Sequence, residues 1–122
     1  MARSQASGRS GQDPDRRPAG DSIRVRTEAV AGGLEVKLLV RHPMQPRVVD
    51  ERGRVIAEAH HITRLICRLD GRVVFDGDLG GGISKNPFFA FVIPAPAARG
   101  AALLSVEWED NHGASDRVTH RV

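Results

Sequence analysis

The segment that decides the fold class is Leu34–Arg41, which reads LEVKLLVR. Apolar residues occupy every second position, at Leu34, Val36, Leu38 and Val40. Charged residues occupy three of the other positions. Alternation with a period of two is the pattern of a strand with one face buried and one face in water. The segment therefore predicts a half-buried β-strand.

The same kind of segment recurs from residue 22 to residue 122. Asp70-Gly71 separates two of these segments and is a signal for a two-residue type I′ hairpin. The only helical rival, Arg54–His60, could form about one turn, so an all-β immunoglobulin-like antiparallel sandwich of about seven strands is predicted. The predicted strands are Ser22–Val30, Leu34–Arg41, His61–Leu69, Arg72–Leu79, Phe88–Ile93, Ala101–Glu109 and Ala114–Val122.

The alternation also predicts which side chains fill the core. Phe88–Ile93 is almost continuously apolar, which is typical of a central strand. The inward side chains expected on the neighbouring strands are Leu65, Cys67, Leu69, Val73, Phe75, Leu104, Val106 and Trp108.

Length and charge indicate one domain with a basic tail. The 122 residues carry a net charge of +3, and this length suits a single domain. Residues 1–20 are rich in Arg, Ser and Gly and are predicted to be a disordered basic tail, with the folded domain at 21–122. They lack the apolar core of a secretory signal, and no apolar run is long enough to span a bilayer. Aromatic residues do not alternate with basic ones, so nucleic acid is not an expected partner. Because no apolar run spans a bilayer, a membrane is not an expected partner either.

No residue pattern indicates catalysis or a bound cofactor. Cys67 is a single cysteine in the middle of a predicted strand, where a thiol usually packs as a small apolar group. The five histidines lack the spacings of a metal site, and scattered surface and loop positions are expected for them. The sequence therefore predicts no catalytic, metal or cofactor-binding residues.

Two segments have the composition of a protein-binding surface. Arg41-His42-Pro43-Met44 is a sharp strand exit, and Ser84–Phe89 is a loop that leads into aromatic residues. Aromatic, Met and Arg side chains are enriched where proteins contact each other. The predicted interface consists of His42, Pro43, Met44, Ser84, Lys85, Asn86, Pro87 and Phe88.

Five blocks of the sequence together resemble the SoxZ family of the bacterial sulfur-oxidation (Sox) system. The resemblance covers roughly residues 22–122, and Ser84-Lys85-Asn86-Pro87 with the later Trp108-Glu109-Asp110-Asn111 is its most specific part. The five blocks are Leu39–Met44, Val55–Ile62, Asp70–Val74, Ile83–Phe88 and Val106–Gly113.

The resemblance implies a non-catalytic subunit that forms a heterodimer with SoxY. In that complex SoxY carries thiosulfate-derived sulfur on a cysteine near its C terminus and is presented to other Sox enzymes. This chain ends Thr119-His120-Arg121-Val122 without such an arm, so Cys67 does not inherit the carrier role. Such subunits lack their own signal and cross into the periplasm with the partner, so a periplasmic location is expected.

The alternative is an iron-containing superoxide reductase of the desulfoferrodoxin type, which also has an immunoglobulin-like fold. Its iron ligands would correspond to His42, His60 or His61, and His112. That family also needs a cysteine just before the last histidine segment, where this chain has Asp110.

Overall fold

The computed structural model describes residues 21–80 and 82–122. The expected disorder of residues 1–20 lies outside these residues. The elements in chain order are β1 (Ile23–Val30), β2 (Gly33–Val40), β3 (Val48–Val49), β4 (Val55–Ala57), β5 (Ile62–Leu69), β6 (Arg72–Gly77), β7 (Phe88–Pro94), α1 (Ala95–Ala98), β8 (Leu103–Asp110) and β9 (Ser115–Arg121).

Two antiparallel sheets form the sandwich that the alternation predicts. One sheet has the order β1-β2-β7 and the other has the order β6-β5-β8-β9. Every strand pair in them is antiparallel. Asp70 and Gly71 both have positive φ, 50° and 87°, as a type I′ hairpin turn requires. The fold class is therefore confirmed.

The core lies between the inner faces of the two sheets. Val36, Leu38 and Val40 of β2 are fully buried. They pack in one cluster with Leu65 and Cys67 of β5, Leu104, Val106 and Trp108 of β8, and further residues of both sheets. The predicted inward positions on β2, β5 and β8 are therefore confirmed.

Residues 44–60 add two short strands that the sequence did not indicate. Val48–Val49 and Val55–Ala57 pair as β3 and β4 around the turn at residues 50–53. The helical alternative for Arg54–His60 is therefore wrong. A single helical turn forms at Ala95–Ala98, between the predicted strands Phe88–Ile93 and Ala101–Glu109. No helix within the described ranges has the length and apolar character needed to cross a membrane.

Two predictions about strand faces are wrong. Val73 was expected in the core but is 55% exposed, because the β5–β6 register shifts between Cys67 and Arg68. The bulge leaves Phe75 opposite inward Cys67 and turns Val73 to the outer face opposite Arg68. β7 is not central: it pairs only with β2 and forms an edge of the three-stranded sheet.

Candidate functional site

The two segments of the predicted interface lie side by side at one end of the sandwich. The His42 N–H donates to Asn86 Oδ1 at 3.0 Å. The Asn86 N–H donates back to the His42 carbonyl at 2.9 Å. Asn86 adopts a left-handed backbone, φ 52°, which asparagine tolerates better than most residues. This reciprocal pair of bonds joins the strand exit after β2 to the loop before β7. We call these two joined segments, at His42 and Asn86, the loop pair.

Only part of the predicted surface can touch a partner directly. Pro43, Ser84, Lys85 and Asn86 are exposed, and Phe88 is 60% exposed. In contrast, His42 and Met44 are 3% and 4% exposed, and Pro87 is also buried. These three residues of the predicted interface are therefore buried in the isolated chain. They support the surface from below.

A buried carboxylate lies beneath this surface. Asp110, the last residue of β8, has a side chain that is 1% exposed. Its Oδ2 accepts hydrogen bonds from His42 Nε2 at 3.0 Å and His60 Nε2 at 2.8 Å. Its Oδ1 accepts from the backbone N–H groups of His112 and Ala114, each at 2.9 Å. Four donors therefore satisfy a carboxylate that water does not reach.

The hydrogen bonds fix the tautomer of His42. The Met44 backbone N–H donates to His42 Nδ1 at 3.0 Å, so Nδ1 presents a lone pair. The proton of the neutral ring is then on Nε2, which donates to Asp110. Met44 is held in turn, because its Sδ accepts the Ile62 N–H at 3.4 Å. Its left-handed backbone, φ 45°, allows this close local contact.

Burial and hydrogen bonding set the charges in the cluster. Burial is the largest influence on His42 and lowers its pKa, although the hydrogen bond to Asp110 opposes this. Burial acts to raise the pKa of Asp110. The bonds from His42, Ala114, His60 and His112 together outweigh burial and hold that pKa below its ordinary value. The cluster therefore combines an ionised carboxylate with a neutral His42.

The expectation of scattered histidines is wrong for three of the five. The His60 ring stacks on that of His112 with centroids 3.9 Å apart. It also meets the His42 ring edge-on at 4.7 Å. The His112 ring is held at its other end, where Nε2 bonds the Ala59 carbonyl at 2.9 Å. The spacing of these histidines does not indicate a cluster, because its members come from three segments far apart in the chain. Only the resemblance to the desulfoferrodoxin type grouped His42, His60 or His61, and His112.

The cluster does not fit the iron site of the alternative interpretation. His42, His60 and Asp110 do place one possible ligand atom each within 4.8 Å of one another. However, a metal on His42 Nε2 would require the ring proton on Nδ1, where the Met44 N–H already points. The same three atoms are joined by direct hydrogen bonds of 2.8 and 3.0 Å. The structure therefore favours a hydrogen-bonded support over a metal centre.

Asp110 is the functional residue that sequence reasoning missed. Its signal was the order Asp110-Asn111-His112-Gly113, in which an aspartate begins a turn and can accept N–H groups two and four residues later. Asn111 strengthens the contact between this turn and the segment before β5. Its side chain accepts the His61 N–H at 2.8 Å and donates to the Ala59 carbonyl at 2.8 Å. The turn after β8 thus holds the segment before β5 in place.

Cys67 has the properties of a core residue. Its side chain is fully buried on β5. Burial raises the pKa of its thiol to about 12. At neutral pH the reactive thiolate is therefore a negligible fraction, as expected for a cysteine that packs in a core.

Comparison with known proteins gives the family. No curated protein matches the chain closely enough to count. The family model described as sulphur oxidation protein SoxZ matches residues 23–121, which is most of the chain and nearly all of the sandwich. The match includes the loop pair at His42 and Asn86 and the Asp110 cluster beneath it. The chain belongs to the SoxZ family of the sulfur-oxidation system.

Proposed function

We propose that this chain is the non-catalytic subunit of a SoxYZ carrier, in which SoxY holds thiosulfate-derived sulfur on its C-terminal cysteine. Family membership supports a role in the Sox system. The observation that carries the division of labour is Cys67: a buried thiol with a pKa of about 12 is unsuited to carry sulfur. The partner must then supply the reactive group, and this chain contributes a rigid surface.

The surface that we propose for SoxY is the exposed part of the loop pair. It consists of Pro43, Ser84, Lys85, Asn86 and Phe88. Phe88 supports the assignment, because a phenyl ring that is 60% exposed gains most from being covered by another protein. The reciprocal His42–Asn86 bonds support it too, since a loop already held in place loses little entropy on binding.

Replacement of Phe88 by Asp tests this surface. A charge at the centre of an apolar contact must be desolvated, so we expect the Phe88→Asp chain to lose most of its copurification with tagged SoxY. Val73→Asp is a matched control, because Val73 is a similarly exposed apolar residue, at 55%, on the other sheet. Equal capture of both variants at the wild-type ratio would contradict the proposed surface.

We also propose that the complex works in the periplasm and that this chain is exported together with SoxY. The basis is membership of the SoxZ family, whose resemblance implies export together with a signal-bearing SoxY. In cells whose SoxY lacks its signal, this chain should remain in the cytoplasmic fraction. Its appearance in the periplasm of those cells would contradict joint export.

The same complex would make transient contacts with the other Sox enzymes that act on the carried sulfur.

A further inference from the structure

The outer face of the β1-β2-β7 sheet carries charges in an order that no other residue within 21–80 and 82–122 explains. On β1 the outward side chains run Arg24, Arg26, Glu28 and Val30. Arg26 lies directly opposite Lys37 of β2, and Glu28 lies directly opposite Glu35. Like charges placed opposite each other destabilise a strand pair. The face therefore has one basic row and one acidic row side by side.

These charges are only weakly compensated by their own sheet. The Lys37 Nζ lies 3.8 Å from Glu35 Oε1, a long contact between side chains that are 49% and 31% exposed. Within residues 21–80 and 82–122, Arg26 and Glu28 form no side-chain hydrogen bond or ion pair. The sheet thus pays a small energetic cost that an external partner of the reverse order would remove.

The face also carries exposed apolar side chains next to the charged rows. Leu39 of β2 is 42% exposed, and Val92 of β7 is 47% exposed. The outward side of β7 holds no charge. Ala90 lies beside Lys37, at the end of the basic row, and Val92 lies beside Glu35, at the end of the acidic row. The face is therefore charged along β1 and β2 and apolar along β7.

We propose that this face binds a second copy of the same chain around a two-fold axis. The two-fold axis lies between the β1-β2-β7 faces of the two copies. It runs at right angles to the strands and passes midway between the basic row and the acidic row. Each basic row then faces the acidic row of the other copy. Arg26 then meets Glu28 of the second copy, Lys37 meets Glu35, and Ala90 meets Val92. A two-fold axis parallel to the strands would instead set Lys37 against Lys37 and Glu35 against Glu35. The charge order selects the first arrangement.

The area of the face sets the strength of this association. Three strands about 4.8 Å apart and four rows about 6.8 Å apart cover roughly 400 Å² on each copy. A standard specific interface covers roughly 800 Å² per partner, so we expect a weak pairing that depends on protein concentration. The two rows next to the axis contribute most, because the twist between packed sheets displaces the outer rows more.

The loop surface assigned to SoxY lies at one end of this face. Phe88 is opposite Leu39 in the last row, two rows from the axis. Pairing of two copies would therefore join two carrier complexes and leave the exposed loops 82–86 at the outer ends. The inference goes beyond the proposed pairing with SoxY, and the two charged rows next to the axis share no residue with the loop surface.

Charge reversal on one row at a time tests the proposal. One variant, Arg26→Glu with Lys37→Glu, makes both rows acidic; the other, Glu28→Arg with Glu35→Lys, makes both rows basic. In sedimentation velocity at low salt, the wild-type full-length chain should shift from monomer towards dimer as its concentration rises. Each variant alone should remain monomeric at the highest wild-type concentration. An equimolar mixture of the two should recover the dimer, since each row again meets its opposite.

The mixture is the decisive arm, because recovery of the dimer also shows that both variants are folded. A wild-type chain that stays monomeric throughout, variants that dimerise as well as the wild type, or a mixture that stays monomeric would each overturn the proposal. Loss of SoxY capture by the acidic variant would assign the face to SoxY and would overturn it as well.

Discussion

At the scale of single residues, Asp110 is expected to contribute strongly to stability. Its carboxylate is 1% exposed and accepts four hydrogen bonds. Asp110→Asn would turn an acceptor into an N–H₂ group facing other donors, and we expect it to cost about 2–4 kcal/mol of unfolding free energy. Urea denaturation followed by tryptophan fluorescence measures this.

The control for this prediction is another hydrogen-bonded aspartate. Asp76 accepts two bonds from the Arg64 guanidinium, at 3.1 and 3.0 Å, but its side chain is 44% exposed. Asp76→Asn should leave the denaturation midpoint close to that of the wild type, because surface ion pairs contribute little. Equal losses in the two variants would mean that the Asp110 cluster does not stabilise the fold.

His42 predicts how stability depends on pH. Its folded-state pKa is lowered from the ordinary value of 6.5, mainly by burial. Below pH 6.5 the unfolded chain therefore binds a proton that the folded chain does not bind, and stability falls as the pH falls. The slope contributed by one such group is at most about 1.4 kcal/mol per pH unit. Asp110 adds a loss in the same direction only at lower pH, because its folded pKa lies below 3.8.

Urea titrations between pH 7.5 and pH 5 test this, compared with His42→Gln, which keeps a donor towards Asp110 but cannot take up the proton. We expect the variant to be less stable at pH 7.5 and to lose less stability on acidification. An identical pH slope in both proteins would show that another group controls the dependence.

At the scale of elements, Gly33 determines how β2 begins against β7. Its φ is +147°, and a Cβ added there would lie 2.0 Å from the Ile93 carbonyl oxygen and 2.8 Å from the Ala95 nitrogen. Both contacts are backbone atoms and cannot move aside like a flexible side chain. We therefore expect Gly33→Ala to lose about 2–4 kcal/mol of stability through strain and displaced strands.

The neighbouring glycine is the matched control. A Cβ at Gly32 would meet no heavy atom within 4 Å. Gly32→Ala should leave the thermal midpoint nearly unchanged or slightly raised, because alanine restricts the unfolded chain. A comparable drop in both variants would place the cost in the turn itself, not in the β2–β7 contact.

Sequence alternation predicted the elements whose two faces differ clearly in environment. β2, β5 and β8 alternate because one face packs in the core, and their inward residues were identified correctly. The inward position predicted for Val73 was wrong, because a bulge shifts the register by one residue without changing the sequence pattern. Phe88–Ile93 was predicted to be a central strand, yet β7 is an edge strand whose apolar outer side faces solvent. Composition does not distinguish such a side from a buried one.

At the scale of the whole molecule, the spacing of residues along the chain did not predict the supporting cluster around Asp110. It brings together His42 after β2, His60 before β5 and Asp110 at the end of β8, and only the sandwich topology makes them neighbours. The loop pair at His42 and Asn86 was predicted as a surface, but the burial of His42 and Met44 depends on that same topology. In these loop segments, unlike the alternating strands, exposure depends on how the sheets assemble and has no local signal.

The assembled sandwich also determines which thiol can carry sulfur in the proposed complex. Cys67 sits between the two sheets with a pKa of about 12, so only about 1 in 100,000 of its thiols is ionised at pH 7. After loading of the complex with thiosulfate, we therefore expect sulfur adducts on the SoxY chain and none on this one. Intact-mass spectrometry of the separated subunits measures this. A Cys67→Ala complex should load to the same extent as the wild type, whereas a mass shift on this chain that disappears in Cys67→Ala would contradict the proposed division of labour.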